Sequence, residues 1–442
     1  MVKPGQDNID EIAEVVGLPG DVFGIEEDHD IKYKTLSWKM VAMLMITEIV
    51  SNGMLSLPSS FAAVGIVPGV AVVFFLGAFG TYTAWALIQF KLRHPEVHNM
   101  GDAGYILFGP LGREILGGGT ILFAICATGS QLLAGQLALS TLSNNSVCAL
   151  GFTGILSLIT TIFSFPRTLG NISWISVVAA ASIILAGILG MAGAGASSIA
   201  PGNIAIAVTS NFTDAFISIT NPVFAFAGHF MFFILISEMR RPQDAMKAAW
   251  VLQIVATGFY IIFASVTYWY IGAEVQSPSL LSLSPLWAKI SFGVALPNFL
   301  IAGSLYSHTA AKLVFIRVFR NSHHVHSHTF SGWSLWTLLI LIANVAAFVF
   351  AAGIPIFNYL VGITASLFAA WYTYGLAGAF WLHDAYHFEG GYSAWSKQPF
   401  MFVINVLTIL AGGFICVGGL YATIASLIAA SDAGELATPF QC

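Results

Sequence analysis

The chain has 442 residues, of which 57% are hydrophobic and 8% charged, with a formal net charge of −5. Soluble domains carry about a quarter charged residues, so this composition excludes a water-soluble globular protein and places most of the chain in a lipid bilayer. The charges are too few and too unevenly placed to indicate nucleic acid or another charged partner.

Residues 1–37 come first and hold nine acids and three bases, with no apolar core of a signal peptide. They read as an acidic cytoplasmic tail. Two small apolar clusters in it, "VVGLPG" and "DVFGI", are able to dock on the protein's own inner face, but the favoured expectation is a solvated tail.

A helix needs about 20 apolar residues to cross the hydrocarbon. Eleven such runs follow, near 39–62, 67–91, 112–141, 149–166, 171–195, 214–238, 245–272, 286–318, 332–352, 355–382 and 399–429. The ninth and tenth are divided only by "AGIPIF", where Pro355 fits a tight turn. The expected fold is therefore an all-α polytopic membrane protein with one transmembrane domain over 38–430 and a short extracytoplasmic tail over 431–442.

Cytoplasmic loops carry an excess of Lys and Arg. With the N-terminus inside, fifteen of the sixteen bases fall at the inner side, and only Lys289 falls outside. The sequons at Asn144 and Asn211 then lie in outer loops and are glycosylation candidates, whereas the match at Asn171 lies at an inner helix start. The four cysteines have no metal-ligand spacing; Cys126 and Cys416 sit in apolar runs as core residues.

Two spans differ from the rest. The first contains "EIVSNGMLSLPSSF" and the sixth "TNPVFAFAGHFMFFILISEMRRP". Each has a Gly near mid-membrane with polar neighbours: Ser51, Asn52 and Gly53 in one, Gly228 and His229 in the other. Glycines also serve close helix packing, and this chain has 43. Two interruptions in corresponding positions, however, mark a transporter site at a repeat interface. Spans one to five (about 39–195) and six to ten (about 214–382) form two halves. Five is odd, so the halves insert with opposite orientation. The eleventh span, about 399–429, is accessory. Unwound helix ends offer N–H groups to an anion and C=O groups to a cation, which suits a zwitterionic amino acid.

At these residues a family resemblance appears. "SNGMLSLPSSFAAVG" resembles the first-span signature of the amino acid/auxin permease family, and "FAFAGHFMFFILISEMRRP" resembles its sixth span. The tail with "DVFGIEED" is most similar to fungal neutral amino acid permeases of the methyltryptophan-resistance type. The resemblance covers about residues 36–430 and implies a LeuT-like fold and secondary active transport by alternating access. Carried onto matching positions, it implies substrate contacts from Ser51, Asn52, Gly53, Met54 and Leu55. From the sixth span it implies contacts from the Phe224–His229 stretch, with Phe224, Phe226, Ala227, Gly228 and His229. Phe226 is the candidate gate. His229 stands where the family more usually has a small or polar residue.

Glu48 is the only acid deep inside a predicted span, and intramembrane carboxylates are functional candidates. One reading has it take up a coupling proton; the other has it paired with Lys312 or capped by backbone. In the eighth span, Ser307 and Thr309 are candidates for a sodium site in a LeuT-like fold, and Lys312 is the alternative, a tethered cation in sodium's place. The loop "HHVHSH" (His323, His324, His326, His328) has enough imidazoles for zinc, but a solvated turn is the favoured reading and no metal or other cofactor is expected.

The expected function is thus a permease for neutral amino acids, with proton symport favoured. A sodium-coupled symporter and a vacuolar exporter are the alternatives. The partners are the amino acid, the coupling ion and the bilayer. The plasma membrane is the first expectation for location and the vacuolar membrane the second. A channel would need a continuous polar stripe. A membrane enzyme would need a catalytic cluster, for which "WLHDAYHFE" (His383, Asp384, His387, Glu389) is the candidate, although it reads better as a helix end.

Overall fold

The structure is a computed structural model and describes residues 21–24, 26, 29–197, 203–320, 322–354, 356–433 and 440. Ten helical segments among the described residues are long and apolar enough to cross a membrane. They are Trp38–Val64, Ile66–Arg93, Met100–Leu142, Leu169–Ser197, Phe212–Ser237, Pro242–Glu274, Pro285–Phe319, Phe330–Gly353, Phe357–Phe388 and Pro399–Asp432. The shorter apolar helix Ala149–Ser164 takes the place of the fourth expected span. They are numbered here as spans one to eleven in chain order.

Local chemistry sets the helix ends. Asn99, Asn211 and Thr329 each cap a helix start, their side chains accepting from backbone N–H groups of Gly101 and Asp102, of Asp214, and of Gly332. The third span starts earlier than its apolar run suggests. A helical piece from Met100 precedes a bend at Gly109 (φ 69°, ψ −155°), followed at once by Pro110. A positive φ is available there because the residue lacks a Cβ. In a hydropathy reading, Gly109, Pro110 and the charged Arg113 and Glu114 cut this short piece from the apolar run. The Pro355 turn lies outside the described residues. The tenth span contains a π-helical stretch, Ala365–Gly375, a local widening that no sequence pattern announced.

Burial ranks the spans. In the most apolar stretches of spans one, six and eight, 89%, 94% and 89% of residues are buried inside the protein, against 22% in the eleventh. The interrupted spans are therefore central. The eleventh turns Phe414, Val417 and Tyr421 outward, as a lipid-facing accessory helix does.

The acidic tail is not simply solvated. Phe23 and Tyr33 are buried, their rings stacked 4.4 Å apart. The Glu26 carboxylate accepts from the backbone N–H of Tyr33 (2.9 Å) and Lys34 (2.9 Å). Ile31 donates to the His326 carbonyl at 2.9 Å, and the Tyr33 hydroxyl to the Val325 carbonyl at 3.0 Å. Of the "DVFGI" cluster, Phe23 docks because its pair with Tyr33 fits beneath the loop joining spans eight and nine. The "VVGLPG" cluster lies outside the described residues.

Candidate functional site

The first span breaks after Ile49. Val50 and Ser51 leave helical geometry (Ser51 φ −142°, ψ −146°), Asn52–Ser56 form a 3-10 turn, and Leu57–Val64 resume the helix. Pro58 lies within the first two positions of that resumed helix, where its missing N–H costs nothing. The sixth span breaks after Ala225: Phe226 and Gly228 are non-helical, and His229–Ser237 is a second half-helix.

The two breaks touch through their glycines. A Cβ on Gly53 would sit 3.0 Å from Ala225 Cα and 3.1 Å from the Phe224 ring. A Cβ on Gly228 would run into the Ile49 side chain and lie 3.1 Å from Glu48 Oε1. Each glycine thus lets the other broken helix approach. All ten residues expected to contact substrate are buried here.

A break frees backbone carbonyls, and buried ones require donors. Three in succession find them on distant spans. Asn298 Nδ2 donates to Thr47 O at 3.1 Å. The Tyr306 hydroxyl donates to Glu48 O at 2.8 Å. The Tyr260 hydroxyl lies 2.6 Å from Ile49 O and 2.7 Å from Ala225 O. Tyr260 has one proton for two carbonyls, one from each break; Ile49 O also accepts from the Ser51 N–H at 2.9 Å.

Polar side chains pin the first break further. Asn52 donates to Ser130 Oγ (3.0 Å) and accepts from Gln131 Nε2 (3.0 Å). Ser51 Oγ reaches Asn298 Oδ1 at 2.5 Å. Nothing near the "SNG" motif signalled Ser130, Gln131, Tyr260, Asn298 or Tyr306; they come from spans three, seven and eight.

His229 turns to the second span. Its Nε2 lies 2.9 Å from the Gly80 carbonyl and 3.4 Å from Thr83 Oγ1, and its ring stacks on Phe232 at 4.6 Å. A carbonyl can only accept, so Nε2 carries the hydrogen. Phe226 packs edge-on against Tyr260, ring centroids 5.1 Å apart.

Glu48 is buried, and neither carboxylate oxygen has a hydrogen-bond partner among the described residues. The pairing with Lys312 is not formed. Lys312 instead makes an ion pair with Glu238, both fully buried, and its ammonium lies 4.8 Å from the Tyr33 ring centroid. Glu238 also accepts from Leu169 N–H at 2.9 Å, and its own carbonyl accepts from Leu36 N–H at 3.0 Å. Glu238 closes the sixth span on the base-rich side, and a reading that singled out Glu48 as the buried acid missed it. The Ser307 hydroxyl lies 3.1 Å from Asn344 Oδ1 and 3.2 Å from Thr128 Oγ1. Thr309 bonds back to Leu305 O at 2.8 Å. Asn144 and Asn211 are both exposed.

With two touching, interrupted helices at the centre of eleven, comparison with known proteins is decisive. Residues 34–425 match the family described as transmembrane amino acid transporter protein. This chain belongs to that family. It is 30% identical over 450 residues to the N amino acid transport system protein of Neurospora crassa, which covers 99% of this chain and 95% of that one. A transmembrane transporter of Fusarium pseudograminearum is 28% identical over 427 residues, covering 94% and 89%. The fold is similar to that of a Na+-coupled sialic acid symporter in a substrate-bound outward-open state, with a TM-score of 0.58 at 12% identity over 95% of each chain. The protein is an amino acid transporter, integral to a membrane, with a LeuT-like fold, and not an enzyme.

Proposed function

We propose that this transporter moves neutral amino acids by alternating access in symport with protons. The observation that carries the reading is the meeting of the two breaks. Backbone from both helices converges there, with Tyr260 supplying one proton to two carbonyls. An α-ammonium has three donors to offer such carbonyls, and free N–H groups at a half-helix start suit an α-carboxylate. The Ser51–Leu55 and Phe224–His229 stretches are the proposed binding backbone, with Phe226 as the gate.

The preference for neutral side chains rests on the apolar lining. Met54, Leu55, Phe224 and Phe226 are all buried at the breaks. A charged side chain there would find, among the described residues, no acid or base to pair with other than Glu48 and His229.

Proton coupling rests on Glu48. An ion buried without a partner costs several kcal/mol, and a bound proton removes that cost. Its Oε1 stands 3.1 Å from the Cβ position of Gly228, beside the second break, so substrate and proton would share one neighbourhood. The Ser307 and Thr309 hydroxyls donate to Asn344 Oδ1 and Leu305 O and keep lone pairs for a cation, so sodium is the alternative that the assay must exclude. The proposed route serves the plasma membrane, and oriented uptake assays on isolated plasma and vacuolar membranes test that location.

The test is uptake of labelled neutral amino acids by proteoliposomes under an inward pH gradient in sodium-free buffer. Concentrative uptake is expected in wild type. Glu48→Gln should lose at least about tenfold of the gradient-driven accumulation while still exchanging substrate. Strict sodium dependence, or full pH-driven accumulation in Glu48→Gln, would sink the proton reading.

A further inference from the structure

The base-rich end of the bundle holds a second cluster that the transport site does not use. His94 immediately follows the second span, and His383 and Asp384 lie in the last helical stretch of the tenth, Leu376–Phe388. His94 Nε2 is 3.0 Å from Asp384 Oδ1, and His383 Nδ1 is 3.2 Å from the same oxygen. One ligand atom from each of the three residues lies within 4.8 Å of the others. Among the described residues this is the group of three or more metal-binding side chains that converges so. The "HHVHSH" loop does not: His326 stacks on His29, His323 lies tilted against His324, and His328 stacks on Trp333.

The surroundings suit a metal as well as the donors do. Ligand atoms at roughly 2.0–2.1 Å from a tetrahedral zinc stand about 3.3 Å apart, close to the two separations observed. Glu96 Oε1 lies 3.4 Å from His94 Nδ1, placing a carboxylate on the ring nitrogen away from the cluster. That outer contact fixes the orientation of a ligating imidazole and raises its basicity. Arg93 lies 3.7 Å from the other Asp384 oxygen and 3.1 Å from Glu389, so Oδ1 is left to the imidazoles and the guanidinium charge is balanced. The side chains of His94, His383 and Asp384 are 9%, 15% and 6% exposed, sheltered yet reachable from the aqueous edge.

We propose that His94, His383 and Asp384 form a Zn(II) site, with water in the fourth position, that staples the second span to the tenth. The second span belongs to the first half of the transporter and the tenth to the second half. Alternating access moves such halves against each other. A metal bound across both restrains that motion, so zinc at this end slows transport without touching the substrate site.

The test uses full-length protein stripped with chelator and titrated with ZnCl2 against a metallochromic indicator at neutral pH. One zinc per chain is expected. His94→Ala and His383→Ala should each weaken binding by about 100-fold, whereas His323→Ala with His328→Ala should leave it unchanged. His383→Cys should keep a site and shift its preference toward Cd(II), as a thiolate does; this also shows that the helix end is intact if His94→Ala folds poorly. In proteoliposomes, ZnCl2 on the base-rich side should lower the initial uptake rate of wild type and leave His383→Ala unaffected. No stoichiometric zinc, binding that survives both single variants, or loss in the loop variant would overturn the site. Tight zinc binding with unchanged uptake would overturn the staple.

Discussion

Glu48 and Glu238 are both buried carboxylates, yet they have opposite surroundings. Glu238 ends the sixth span facing Lys312, accepts a backbone N–H from Leu169, and lies under the docked Tyr33–Leu36 segment. Glu48 is the last residue but one of the helix that ends at the first break, with no partner for either oxygen among the described residues. A buried charge with a counter-ion and hydrogen bonds is a fixed structural element. One without them is held neutral by a bound proton, and the proposed coupling asks that proton to move. The difference separates a latch at the base-rich end from the carboxyl of the proposed coupling site.

The latch side of the comparison predicts the largest effect. Lys312→Ala leaves Glu238 buried without a cation and should cost about 3–5 kcal/mol, read as a fall in the unfolding midpoint of purified protein. The pair Lys312→Met with Glu238→Gln should recover most of that loss, because no uncompensated charge remains. If the double variant is as unstable as the single, the ion pair is not what holds this end closed.

Next comes the contact between the breaks. Gly228→Ala drives a methyl into Ile49 and against Glu48 Oε1, and overpacking of this kind costs about 1–3 kcal/mol. Uptake should fall more than stability, since the methyl enters the place where the helices cross. A smaller loss, about 1 kcal/mol, is expected for Tyr260→Phe, which removes one hydroxyl from two carbonyls; a rise in KM larger than any change in unfolding midpoint would support its place at the site. Smallest in stability is Glu48→Gln. A carboxylate without partners has no ion pair to lose, so its unfolding midpoint should match wild type within the scatter of surface substitutions, about 0.5 kcal/mol. A drop as large as that of Lys312→Ala would give Glu48 a structural partner and erase the contrast.

Much of this architecture was readable in the chain. The spans appear as apolar runs because the bilayer demands them, and the breaks appear because Ser51-Asn52-Gly53 and Gly228-His229 are poor company for a continuous helix. The piece from Met100 to Phe108 escaped because it is too short to read as a span and is cut from the apolar run by Gly109, Pro110 and the charged Arg113 and Glu114. The site was legible only in part. Asn298, Tyr306 and Tyr260 serve carbonyls of Thr47, Glu48 and Ile49 across some 210–260 residues of sequence, and a tyrosine inside an apolar run carries no mark of which backbone it will meet. The part of the tail around Phe23 and Tyr33 departs from the favoured solvated reading for a similar reason: acidity suggested water, while these two rings found a pocket made by another loop.

Composition and local pattern by themselves determined that the chain crosses a membrane many times, with two helices interrupted. Those properties follow from one-dimensional rules, the transfer of each segment into lipid and the cost of glycine in a helix. Tertiary structure alone decided which carboxylate met Lys312, which hydroxyl bridges the two breaks, and which histidines converge. Partner choice depends on distances between spans, and those are set by packing the whole bundle rather than by any stretch of it.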